Sequence, residues 1–109
     1  MVNVFDDLKS NPDRCADGEP ATWELGLFGK PRTKVTVVYF IMADTDVWFV
    51  AADGSRARTI RKDFTVQGRT QCDCDYTMTG SFQGIVGVRA KVLTNSGEQD
   101  TSVGGVRFN

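Results

Sequence analysis

The sequence predicts an all-β fold, an antiparallel meander of about seven strands forming a small sandwich or a partly open barrel, preceded by a short N-terminal helix or arm. Three observations carry this reading. Apolar and polar residues alternate, most cleanly over residues 71–79, where Cys72, Cys74, Tyr76 and Met78 share one face and Gln71, Asp73, Asp75, Thr77 and Thr79 the other. Turn-forming pairs recur at short intervals: Asp53-Gly54, Gln67-Gly68 and Gly80-Ser81. The links after Pro31 are short, and short links join antiparallel strands. An open sheet of such strands would leave one apolar face in water, so the sheet is expected to curl or to split into two packed layers.

With 109 residues the chain is expected to make one domain with a modest core: an arm over residues 1–21 and a β-domain over residues 22–109. Residues 2–8 read as a short helix, capped by Asn3, with Val4, Phe5 and Leu8 as its apolar stripe. Residues 10–21 are dense in turn formers and read as an irregular connection. Trp23, Leu25 and Leu27 then alternate with Glu24 and Gly26, and residues 29–32 are expected to turn the chain because Pro31 cannot continue a central ladder.

Residues 33–52 read as a central hairpin, two β-rich runs around Asp44-Thr45-Asp46. Both parities of its first run are apolar: Val35, Val37, Tyr39 and Ile41 on one, Val38, Phe40 and Met42 on the other. Such a strand calls for cover on both sides, from the arm or from another subunit. Strands follow up to Val66, over 71–79, over 84–94 with Val86, Val88, Ala90 and Val92 inward and Arg89 and Lys91 outward, and over 101–108 with Val106 and Phe108 on one face.

Composition narrows the function classes. Thirteen basic residues against fourteen acidic ones give a net charge of −1, which argues against a general polyanion or membrane-surface binder. The absence of histidine removes the commonest general base and the commonest metal ligand together, so an enzyme is the least favoured class. No apolar run approaches the roughly 18 residues of a membrane span, and the first residues lack the pattern of a signal peptide. A virion or cytoplasmic setting is therefore expected, and three cysteines fit a reducing interior better than a disulfide framework.

Cys72-Asp73-Cys74 with Cys15 has the wrong spacing for a zinc site and reads as buried free thiol, with pairing of Cys15 to Cys72 or Cys74 as the alternative. Asp44, Asp46 and Asp53 lack the pattern of a calcium loop and read as turn chemistry, and as a carboxylate pair for glycoside hydrolysis they lack any sign of a cleft. Neither a metal nor a cofactor is expected.

Arg56, Arg58, Arg61, Lys62 and Arg69 form the one local charge bias and are the candidate contacts for an anion or for nucleic acid. Phe5, Leu8, Tyr39, Trp48 and Phe49 are the candidate partner interface, since buried aromatics dominate interfaces. The functional expectation is a non-enzymatic structural or assembly module contacting other protein subunits, a homo-oligomer or larger assembly. Its specific form is a virus or bacteriophage component, a head decoration, connector or tail part. The alternative is a ligand-binding β-module for a glycan or single-stranded nucleic acid, using the basic stretch over residues 56–69.

Overall fold

The computed structural model describes residues 1–16 and 19–109. Residues 17 and 18, within the expected irregular connection, lie outside the described residues. The elements in chain order are β1 (Val2–Asn11), β2 (Arg14–Cys15), β3 (Ala21–Ile41), β4 (Val47–Val50), β5 (Arg56–Ala57), β6 (Thr59–Gln71), β7 (Cys74–Gly80), β8 (Gly84–Thr94) and β9 (Gly97–Phe108). The expected all-β class holds. The sheet is mixed, because β2 runs parallel to β9 while every other pairing is antiparallel.

Strand β3 organises the molecule. Its first half pairs with β1 on one side and with β6 and β7 on the other; its second half pairs with β6 and β8. Between these halves, Lys30, Pro31 and Arg32 stand against the single residue Gln67 of β6, flanked by the pairs Gly29–Gly68 and Thr33–Val66. Such a bulge bends a strand, and Arg32 adopts a positive φ of 63° within it. The expected turns at residues 29–32 and at Gln67-Gly68 are thus one shared bend, through which both strands continue. The surplus on β3 is even, so odd-numbered residues face inward on both sides of it: Trp23, Leu25 and Leu27 before, Val35, Val37 and Tyr39 after.

The bend folds the sheet into two layers around one core. The path β2-β9-β8-β3-β7-β4-β5 runs from one layer to the other through β3 and does not close. Trp23, Tyr39, Phe49, Phe108, Leu25, Leu27 and Met78 are its largest fully buried side chains. At Gly104 of β9 a Cβ would lie 2.9 Å from Trp23 Cζ3 and would strike the carbonyl of Leu8, so glycine lets the two layers touch there.

Two expectations are corrected. The N-terminal segment is a strand. Val2 and Leu8 are buried, and backbone pairing to β3 from Val2 with Gly29 to Asn11 with Thr22 satisfies more of its polar groups than seven helical residues could alone. Its amides also reach β9: Val4 N donates to Asp100 Oδ2 at 2.8 Å and Leu8 N to Ser102 Oγ at 2.9 Å.

The central hairpin over residues 33–52 does not form either. Strand β4 pairs with β7 and β5, while the second half of β3 pairs with β6 and β8, so the segment between Ile41 and Val47 crosses from one layer to the other. The meander order gives way accordingly, although β8 and β9 do form a hairpin, its turn tighter than the loop expected over residues 95–100. The Asp53-Gly54 turn is present: Ala51 N donates to Ser55 O and Gly54 N to Ala51 O, both at 2.9 Å.

Candidate functional site

The layer crossing at Ala43–Val47 is held by one side chain. Arg58 follows β5, and its Nη1 donates to the carbonyls of Thr45 at 2.6 Å and Val47 at 3.3 Å, while Nη2 donates to that of Ala43. A rigid guanidinium fork suits this task, and three carbonyls gain a charged donor. The same group lies 5.3 Å from the centroid of the Trp48 ring. Asp46 Oδ1 accepts from Trp48 Nε1 at 3.1 Å, so the indole is fixed by its stacking neighbour and its edge.

Around this indole a cleft of about 270 Å³ opens, lined by Asp46, Trp48, Val50, Arg56, Thr79, Gly80 and Ser81. Strand alternation puts these residues there. Val47 and Phe49 are fully buried, so Trp48 and Val50 face outward, and the register sets Thr79 opposite Trp48 and Arg56 opposite Val50. At Gly80 a Cβ would collide with the Asp46 carbonyl, which itself accepts from Ser81 N at 3.0 Å. Arg56 is exposed and makes no ion pair or side-chain hydrogen bond among the described residues.

The remaining basic candidates are dispersed. Arg61 points to the outer face of its layer beside Val38, whereas Lys62, of opposite parity, pairs with Asp75 and lies 5.2 Å from the Phe64 ring centroid. Arg69 lies over Phe5 at 5.3 Å, on the outer face of the other layer. The basic stretch therefore supplies a structural clamp, an uncommitted cation in the Trp48 cleft and three separate surface contacts. Of the interface candidates, Leu8, Tyr39 and Phe49 belong to this chain's own core, and only Phe5 and Trp48 reach the surface. Tyr39 is further tied down, its hydroxyl donating to the Cys72 carbonyl, and burial pushes its pKa up.

All three cysteines are buried and free. Burial raises the thiols of Cys72 and Cys74 to about 11, which makes them poor nucleophiles. Among the described residues no group of three or more Cys, Asp or Glu side chains is placed to hold a metal ion. Asp53 serves its turn: Oδ1 accepts from Ser55 N at 2.9 Å and Ser55 Oγ at 2.7 Å, which lowers its pKa.

Sequence reasoning missed a second feature, the outer face of β6-β3-β8-β9. Register sets Phe40 opposite Arg89, Val38 opposite Lys91 and Arg61, Arg89 opposite Val103, and Ile85 opposite Arg107, which also faces Arg14 of β2. Arg89 and Lys91 flank the Phe40 ring at 5.7 and 5.6 Å. Met42, Ile85 and Val103 are exposed around the paired glycines Gly87 and Gly105, where the surface is flat. Alternation alone placed Phe40, Arg89 and Lys91 outward; their proximity needed the pairing of β3 with β8.

Fold and sites together define a class, a two-layer β-sandwich whose distinctive groups lie on its outer faces and at one layer crossing. No protein-family model matches the chain, and no curated protein matches it by sequence. Similar solved structures include WR4, an MSP family member of C. elegans, with a TM-score of 0.56 at 4% identity over 96% of this chain and 100% of that one. The Pseudomonas fluorescens alkylpurine DNA glycosylase AlkC, solved bound to DNA containing an abasic site analog, aligns with a TM-score of 0.55 at 13% identity over 99% of this chain and 30% of its own. The CARDB domain of the PF1109 protein of Pyrococcus furiosus, in complex with di-metal ions, aligns with a TM-score of 0.53 at 14% identity over 100% of this chain and 86% of that domain. The likeness is one of fold.

Proposed function

We propose that this chain is a non-enzymatic assembly module that docks on a second copy of itself through the outer face of β6-β3-β8-β9. The observation that carries the reading is the combination on that face of exposed Met42, Ile85 and Val103 with Arg14, Arg61, Arg89, Lys91 and Arg107. Apolar residues with arginine and few acids are the composition of interface centres. Of the acids, Asp63 and Glu98 stand there, and they accept from Thr36 Oγ1 at 2.6 Å and from Thr101 Oγ1 at 2.9 Å.

Charge accounting supports a like partner. Six of the thirteen basic residues, Lys34 included, lie on this face with two of the fourteen acids, leaving seven basic residues against twelve acids elsewhere in the chain. The rest of each copy is thus the electrostatic complement of the face, which favours a head-to-tail contact. A place in a virus particle or in a cytoplasmic complex is the narrower form of the proposal and rests on the sequence reading.

Light scattering over a concentration series tests it. The apparent mass should rise with concentration, fall back as salt is added, and stay monomeric in an Ile85→Asp, Val103→Asp variant that remains folded. A strict monomer at every concentration overturns the reading. A second reading, single-stranded nucleic acid on the same face, draws support from the Phe40 ring between Arg89 and Lys91. Saturable oligonucleotide binding, lost with Phe40→Ala, would establish it in place of self-association.

A further inference from the structure

From the Trp48 cleft we infer a second, independent site, which binds a single sugar ring bearing a carboxylate. The cleft lies on β4, β5 and β7, apart from the face assigned to assembly. Its volume of about 270 Å³ lies just below the usual range of ligand pockets and suits one ring better than a chain.

Four features of the cleft match that ligand. Trp48 offers an apolar face to the C–H side of a sugar, and it is already ordered by Arg58 and Asp46, so little freedom remains to be lost on binding. Arg56 has its fork uncommitted among the described residues, and a planar carboxylate is its natural bidentate partner. Asp46, Thr79 and Ser81 line the same cleft and supply acceptors and hydroxyls, which ring hydroxyls can engage. The division of labour between two arginines two residues apart is the decisive point. Arg58 is consumed by the carbonyls of Ala43, Thr45 and Val47, whereas Arg56 faces the cleft.

The test uses the intact chain and the two indole N–H resonances. Trp23 is fully buried, so its signal is an internal control for that of Trp48. Glucuronate added to about 50 mM, with glucose and acetate in parallel, should move the Trp48 resonance saturably and leave that of Trp23 in place. Glucose and acetate should each bind at least about tenfold more weakly, since each offers half of the recognised chemistry. Arg56→Ala should weaken glucuronate by a similar factor without changing the Trp23 resonance, and Arg56→Lys should recover part of it. No movement with glucuronate overturns the inference. Equal binding of glucose, or equal binding of acetate, also overturns it, the first by removing Arg56 from the site and the second by reducing the site to a simple anion contact. Because Ile85 and Val103 lie outside the cleft, the assembly variant should bind glucuronate unchanged, and failure of either proposal can be told from failure of the other.

Discussion

Arg58 and Leu8 take roles in the structure other than those their sequence patterns suggest. Arg58 belongs by composition to a basic stretch, but its fork closes the layer crossing by donating to three carbonyls. Arg58→Ala should therefore lower the stability of the monomer by about 2 kcal/mol, and Arg58→Lys should not restore it, since one ammonium cannot span the same acceptors. Urea denaturation measures this. Leu8 is 3% exposed, so Leu8→Ala should cost about 2–4 kcal/mol in the same assay at any protein concentration. An unchanged midpoint would return Leu8 to the surface. Gly104→Ala should cost about 1–3 kcal/mol, because its Cβ would meet the Leu8 carbonyl and the Trp23 ring.

Among the elements, β1 departs most from expectation. Val4, Phe5 and Leu8 at helical spacing compete with a strand reading in which Val2 and Leu8 share the buried face, and local periodicity cannot choose between them. Tertiary pairing to β3 decides. Amide exchange should accordingly show protection across β1, with Leu8 among its slowest amides because it bonds to buried Ser102. Rapid exchange throughout β1 would contradict the pairing.

Strands whose alternation was clean were legible: Val86, Val88, Ala90 and Val92 of β8 are all buried, as are Cys74 and Met78 of β7, whereas the strand expected from residue 71 begins at Cys74 and Cys72 is buried in the link from β6. The Pro31 and Gly68 signals were read at the right places as interruptions, and as turns because nothing local says that a bulge on one strand is met by the continuation of its partner. The two-sided apolar character of residues 35–42 was also a true signal. Its source is the outer face formed with β8, where Phe40 lies beneath Arg89 and Lys91, and no local pattern reveals that neighbour.

At the scale of the molecule, stability should depend on alkaline pH through the core thiols. Cys72 and Cys74 titrate near 9 when exposed and near about 11 when folded, because burial disfavours the thiolate. Their folded pKa values are raised, so the contribution is fully present below pH 9 and is lost as pH rises from 9 through about 11, where the unfolded chain has released protons that the folded chain retains. The urea midpoint should fall over that window in the presence of reductant. A midpoint that holds steady to about pH 11 would mean that the thiols reach solvent.

The contacts between the first strand and the last have a further consequence, for synthesis. Val4, Leu8 and Ser10 find their partners at Asp100, Ser102 and Gly105, more than ninety residues later. A growing chain makes Trp23 early, whereas Gly104 of β9, which lies against its ring, comes among the last residues. The pairing of the first strand with the last therefore closes late, and until it does the amides of Val4 and Leu8 have only water as partners.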